Sequence, residues 1–470
     1  MNYRSLFVMM AVVWGGMLAT PAGAVCPNAG CPEDFFPLGA ATNLNLSCPV
    51  GFQQSTFASG FNPGSACLGG VGPTGMAALP SGEVLINHLP AGQIFRHSAA
   101  PACNPGVAFG PVFGSGRPVG LVLSLTGRIY EGLQGPGQLI GLDATGTPIA
   151  GESYSPASLY VADMVRDNRT NVLYLNVSGF GGMDGIVKFT PGAPGAGTFT
   201  PLATGAPFSN PNGLTGGLFM LDGVQEFILF ASNRATGDIT ATDAATGATV
   251  VVVAALPGQP DGGALGRVGS CSDGFLFINR NTLGVTVIDL RGITTFAGLA
   301  LPAELSTEDD LDRVRVFAAG WSRGDIVKVL PATPSTLQND TAFKMLLTGT
   351  DRVQLVGPAI FAPSAGSSVS PSDLLEYVNA QIAAGCIGEP AGGGGGGGGG
   401  VGGILTGLTN HLDNAAHGFE QGGGGVPGVC NQLDAVIRFV NDNPGAFTCA
   451  GVADTIRDSA TFMKSSLGCP

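Results

Sequence analysis

Pro211-Asn212-Gly213-Leu214 and Pro260-Asp261-Gly262-Gly263 are two copies of one short pattern, about 49 residues apart. Pro73-Thr74-Gly75-Met76 and Pro118-Val119-Gly120-Leu121 are earlier copies. The interval between 118 and 211 spans two periods, which places a drifted copy near Val161–Val165; a sixth is expected near Leu311–Phe317. An apolar run, a turn and a second apolar run follow each start, as in Gly82-Glu83-Val84-Leu85-Ile86 then Gly92-Gln93-Ile94-Phe95. Short apolar runs bounded by Gly, Asn and Asp predict strands. Several strands per repeat of about 40–50 residues predict a propeller. The expected fold is therefore mainly β: a six-bladed β-propeller over residues 70–363, in which stacking around an axis removes long exposed sheet edges.

Working outward, residues 1–24 read as a signal peptide. Arg4 supplies the positive start, Leu6–Val13 the apolar centre and Ala22-Gly23-Ala24 the small-residue cleavage site. No later apolar run approaches the roughly 20 residues that span a bilayer. Residues 25–69 are a Cys-rich leader that can lend a closing strand to the ring, and 352–363 is the other candidate for that role. The chain has 10 cysteines, and all of them lie beyond Ala24. An even count in that position predicts disulfides and an oxidising, secreted setting, whether periplasmic, extracellular or cell-surface associated. Cys26, Cys31, Cys48, Cys67, Cys103 and Cys271 form one group, and Cys386, Cys430, Cys449 and Cys469 another; pairing is expected within each.

Residues 364–403 hold a helix and a Gly-rich linker. Ser370 can cap that helix and Pro371 suits its first position. Gly392–Gly400 is an uninterrupted glycine run, flexible by composition. Residues 404–470 carry three helix-period apolar stripes, through Leu408/Leu412, Leu433/Val436/Val440 and Val452/Ile456/Ala460. They predict a small helical module stapled by cysteines.

The formal net charge of −13 disfavours nucleic acid and anionic membranes as partners. Asn212 and Asp261 carry the strongest chemical signal. Starts of innermost propeller strands lie near the central channel, where an amide oxygen and a carboxylate can hold Ca²⁺ or another divalent cation. Such an ion can polarise a lactone or ester carbonyl. The same two motifs are also ordinary turn sequences. Only His88, His97, His411 and His417 are available as imidazole groups, and none is paired with a second catalytic group by spacing.

Residues 205–290 resemble the senescence marker protein/gluconolactonase family. In that family an Asn in a Pro/Ser-Asn-Gly-Leu segment and an Asp in a Pro-Asp-Gly segment one blade later bind the catalytic metal. The resemblance assigns those roles to Asn212 and Asp261, with Asp261 also orienting the attacking water, and implies a six-bladed propeller. The family's first ligand, a Glu, is replaced here by Val71. Its third-blade Asn-Asp aligns with Ala162-Asp163, so Asp163 would serve as a ligand through a shift of one residue. The Pro-x-Gly start is shared with NHL-type repeat propellers, many of which only bind. The tail, through Leu412-Asp413-Asn414-Ala415 and Leu433–Asn441, resembles the bacterial FIMAH module. Two functions stay open: a Ca²⁺-dependent hydrolase of a small-molecule lactone or ester, and a non-enzymatic propeller that binds a carbohydrate, peptide or protein.

Overall fold

The computed structural model describes residues 35–36, 52–58, 73–81, 83–97, 106–114, 118–134, 137–155, 160–180, 183–257, 260–265, 274–280, 284–302, 314–316, 326–331, 343–348, 352–356, 369–388, 403–420 and 426–470. The expected signal peptide, Val71, the first group of cysteines and the glycine run lie outside the described residues.

The fold is mainly β. Five four-stranded antiparallel sheets follow one another in the chain, each running from an inner to an outer strand. Their inner strands are Pro73–Ala78, Pro118–Leu123, Tyr160–Asp167, Pro211–Leu221 and Pro260–Leu265. Successive inner strands lie side by side, which gives the propeller arrangement. Among the described residues five such blades are present, not the six alike blades that the repeat count predicts. The remaining sector is a five-stranded sheet of mixed origin, in the order Phe35–Phe36, Phe52–Ala58, Ile326–Pro331, Phe343–Thr348, Arg352–Val356. Arg352–Val356 sits between the inner strands of the fifth and first blades, and Phe52–Ala58 pairs with Ile326–Pro331. Both ends of the β-rich region thus enter one sheet. The segment near Leu311–Phe317 is not a blade start. Its strand, Val314–Val316, is the outer strand of the fifth blade, paired with Gly284–Asp289. A count of starts therefore overruns, because the last sheet is not one contiguous repeat.

The Pro-x-Gly pattern has one structural meaning throughout. Each inner strand slips its register by one residue at that point, between Pro73 and Met76, Pro118 and Gly120, Val161 and Asp163, Pro211 and Gly213, and Pro260 and Gly263. A β-bulge leaves one residue unpaired and re-aims the strand. Proline is tolerated as the first residue of a strand because it has no N–H to offer the ladder. Val119, Ala162 and Asn212 hold the middle position of these bulges; Thr74 and Asp261 match them in the Pro-x-Gly motif, within slips that span two residues. Val161-Ala162-Asp163 is thereby the drifted third copy.

Between the blades the core is aliphatic and aromatic. Tyr130, Phe189, Phe227, Phe230 and Phe277 are among its largest fully buried side chains. Burying one such phenylalanine stabilises the fold by about 1.5–3 kcal/mol. The apolar stripes of the tail become helices α1 (Pro371–Ala383), α2 (Gly403–Glu420), α3 (Val426–Asp442) and α4 (Val452–Ser466). Ser370 caps α1 in a capping box with Asp373, which satisfies two backbone N–H groups that a helix start leaves orphaned. By packing, α1 belongs with the later helices, since it lies against α2 and α4. Disulfides Cys386–Cys449 and Cys430–Cys469 tie the bundle together, so the tail cysteines pair within their own group.

The bundle and the propeller share one core. Leu79, Leu125 and Leu142 of the first two blades pack with Leu374, Tyr377, Val378 and Phe462 of the helices. Leu79 and Leu125 lie just past the carboxyl ends of their inner strands, as does Asn168, whose Nδ2 donates to Asp373 Oδ1 at 2.8 Å. The helices therefore cover the face opposite the bulges. No helix among the described residues is long and apolar enough to cross a membrane.

Candidate functional site

The five bulges gather at one end of the ring, because all five inner strands begin there. Asn212 and Asp261 hold the same motif position in neighbouring blades, and their strands Pro211–Leu221 and Pro260–Leu265 lie side by side. Asn212 is buried. The backbone of Asp261 is placed in its strand; its side chain lies outside the described residues. Asp163 is one position further along, where four other blades carry Gly75, Gly120, Gly213 and Gly262. It is 2% exposed. Its Oδ1 accepts the Met164 N–H at 2.9 Å, and its Oδ2 accepts the Leu214 N–H of the next blade at 3.0 Å.

A second layer of buried polar groups lies opposite these bulges, on the second strand of each blade. Asn176 pairs directly across from Asp163, and its Nδ2 donates to Gly213 O at 2.6 Å. Asn87 Nδ2 in the first blade donates to Glu131 Oε1 in the second at 3.0 Å. Neither Asn87 nor Glu131 has measurable exposure. Close packing of blade on blade demands glycine beside them. A Cβ on Gly75 would meet Val119 O at 2.4 Å and Asn87 Nδ2 at 2.8 Å. Burial pushes the Glu131 carboxyl well above the ordinary carboxylate range, against opposing hydrogen bonds from Asn87 and the Val119 backbone. The protonated form is favoured there, as for any acid withdrawn from water.

Three oxygens in this layer accept no hydrogen bond from the described residues: Asn87 Oδ1, Glu131 Oε2 and Asn176 Oδ1. Buried acceptors without donors are uncommon and mark places where a water or an ion can be held. Among the described residues no group of three or more His, Cys, Asp or Glu comes together. The donors at this end of the ring are amide and carboxylate oxygens, the set a hard cation takes.

The sequence reading named Asn212, Asp261 and Asp163 but passed over Asn87, Glu131 and Asn176. A polar residue near the end of an otherwise apolar second strand is their only signal, and it recurs as Asn87, Asn176, Ser232 and Asn279. His88 and His97 are both buried, with the His88 ring edge-on to Phe95 at 5.5 Å.

No family model matches this chain, and no curated protein matches it. Solved structures do resemble it. A gluconolactonase of Xanthomonas campestris is 15% identical over 64% of this chain and 93% of its own, with a TM-score of 0.41. A PQQ-bound aldose sugar dehydrogenase of Streptomyces coelicolor is 17% identical over 65% and 95%, with a TM-score of 0.39. A virginiamycin B lyase of Staphylococcus aureus is 13% identical over 65% and 88%, with a TM-score of 0.35. At these identities and scores the likenesses carry no argument about what this chain does.

Proposed function

We propose that the bulge end of the ring is a divalent-cation site of a secreted hydrolase acting on a small lactone or ester. The observation that carries this reading is the equivalence of residues 212 and 261. Two oxygen-bearing side chains occupy the same motif position in adjacent blades, at the starts of touching inner strands. Asn212 Oδ1 and the Asp261 carboxylate would hold the ion, with Ca²⁺ as the first candidate given an all-oxygen donor set. A bound divalent ion supplies Lewis-acid polarisation of a carbonyl oxygen. Asp261 would carry the negative charge of the site and orient the attacking water. The bulges place these residues at one end of the ring, and the helices cover the other. Export is read from the segment Met1–Ala24 and agrees with the two disulfides of the tail.

A second reading, a binding propeller without turnover, is favoured by one observation. The same motif positions of the first three blades hold Thr74, Val119 and Ala162, of which Val119 and Ala162 offer no side-chain ligand.

Metal analysis of the purified mature protein, followed by hydrolysis assays on simple lactones, separates the two. In the hydrolase reading the protein contains stoichiometric divalent metal and turns over a lactone. Asp261→Asn keeps the shape and removes the charge, so metal affinity should fall at least tenfold and turnover should be lost, with little change in melting temperature. Metal-free protein whose folding and ligand binding ignore Asp261→Asn would sink the cation site and leave the binding module.

A further inference from the structure

Asp163 and Asn176 grip a single peptide group. Gly213 C=O and Leu214 N–H are the two polar ends of the one peptide bond that joins those residues. Asn176 Nδ2 donates to the first at 2.6 Å, and Asp163 Oδ2 accepts from the second at 3.0 Å. The two side chains come from directly opposed residues of adjacent strands in the third blade, and the peptide belongs to the inner strand of the fourth. All three of Asp163, Asn176 and Leu214 are buried. A trans peptide points its C=O and N–H in opposite directions, so a pair of side chains a strand spacing apart can hold both ends at once.

The gripped peptide lies one residue beyond Asn212. A bulge breaks the local ladder and so weakens the backbone's hold on the residue it re-aims. Just past the bulge of the fourth blade, where Gly213 and Leu214 rejoin the ladder, side chains of the third add a second hold. This also accounts for the irregular third copy of the repeat. Where four blades have glycine, the third has Asp163, and the exchange gives up a close-packing residue for a carboxylate that reaches the next blade. Its Oδ1 is fixed by its own neighbour, Met164 N–H, at 2.9 Å, which sets the direction of Oδ2.

We infer that Asp163 and Asn176 are positioning residues, a two-armed clamp on the Gly213–Leu214 peptide that fixes Asn212 at the bulge end of its strand. In its consequence for the cation this rests on the function proposed above; as a statement about the backbone it does not. Asp163 then acts through Asn212 and is not itself a ligand.

The test combines hydrogen exchange with a Ca²⁺ titration on the full-length mature protein, using Asp163→Asn, Asn176→Ala and the double variant. Asp163→Asn places an amide where an acceptor is needed, and Asn176→Asp is a shape-conserving alternative if Asn176→Ala folds poorly. Exchange at the Leu214 amide should rise about tenfold or more in each single variant, with melting temperature nearly unchanged. The double variant should be no worse than the singles, because residues acting as one unit are non-additive. Ca²⁺ affinity should fall by a similar factor in both single variants. A ligand role for Asp163 gives a different pattern: Asp163→Asn abolishes Ca²⁺ binding while Asn176→Ala leaves it intact, and that result overturns the clamp. Unchanged Leu214 exchange in both single variants overturns it as well. If wild-type protein binds no Ca²⁺, the cation reading falls, and the exchange measurement alone decides the clamp.

Discussion

Gly127 turns the chain between the first two strands of the second blade at φ +80°, and a Cβ there would lie 2.3 Å from the Phe462 ring of α4. Two costs meet at this residue. A non-glycine side chain in the left-handed region costs about 1–2 kcal/mol, and overpacking against a buried ring costs about 1–3 kcal/mol. Gly127→Ala should therefore destabilise by about 2–4 kcal/mol, seen as a lower midpoint in urea unfolding; an unchanged midpoint would mean that Phe462 does not rest on this turn. Glu131 makes the opposite prediction. Its carboxyl is buried with burial pushing its pKa well up, so a neutral amide of the same shape should be accepted. Glu131→Gln should be neutral or stabilising at pH 7, whereas Glu131→Ala should cost about 2–3 kcal/mol by stranding Asn87. Equal losses in both variants would count against a protonated Glu131. Asn212 and Asp261 were legible in sequence from their place in the repeat, and Asp163 through the family resemblance. Asn176 was not, because a polar residue recurring near the end of the second strand does not say what it holds; only cross-blade geometry shows that.

Helix α1 is the element that docks the bundle on the third blade. Arg166 is fully buried there, with Nε and Nη2 donating to Asn168 Oδ1 at 3.0 and 2.8 Å and Nη2 lying 3.7 Å from Asp373 Oδ2. Asn168 Nδ2 also reaches Glu376 Oε2 at 3.2 Å, and Gln381 Nε2 donates to Arg169 O at 3.0 Å. Burial, and then the Asp373 and Asp167 carboxylates, push Glu376 up to about 7, against the Asn168 hydrogen bond and the Arg169 charge. A carboxyl raised from an ordinary 4.5 holds its proton in the folded state while the unfolded chain has lost it. Stability from this group is therefore full below pH 4.5, declines as pH rises through the window 4.5 to about 7, and is level above it. The decline should amount to about 1–3 kcal/mol. Unfolding free energies measured across pH 5–8 should show that slope in the wild type and lose it in Glu376→Gln; a wild type with no slope would remove Glu376 from the account. Sequence gave Ser370 as the cap and the apolar stripe of α1. It gave no hint that the polar stripe, Asp373 and Glu376, would face a buried arginine more than 200 positions earlier.

At the scale of the whole molecule, two disulfides close loops of 63 and 39 residues within the bundle. By the chain-entropy estimate each stabilises by about 4 kcal/mol. Because the bundle shares its core with the first two blades, its loss should be felt in the propeller. Cys386→Ser with Cys449→Ser should lower the thermal midpoint of the bundle, and the exchange protection of Leu125 in the second blade should drop with it. Full protection at Leu125 after the bundle has melted would show the two parts to be independent.

The sequence by itself determined the repeat, the strand-rich blades, the helical tail with its cap, and the two bulge residues that face the question of function. These are local matters: a Pro-x-Gly bulge, a 3.6-residue stripe and a capping serine each express themselves within a few residues. Tertiary structure decided what depended on distance. It made the last sheet from both ends of the β-rich region, so that counting starts could not count blades. It placed α1 with helices beyond the glycine run, because apolar area is buried wherever a complementary face exists and not by order in the chain. It also brought Asp163 to the Leu214 N–H of the next blade, since a side chain's hydrogen bonds depend on which blade is stacked beside it.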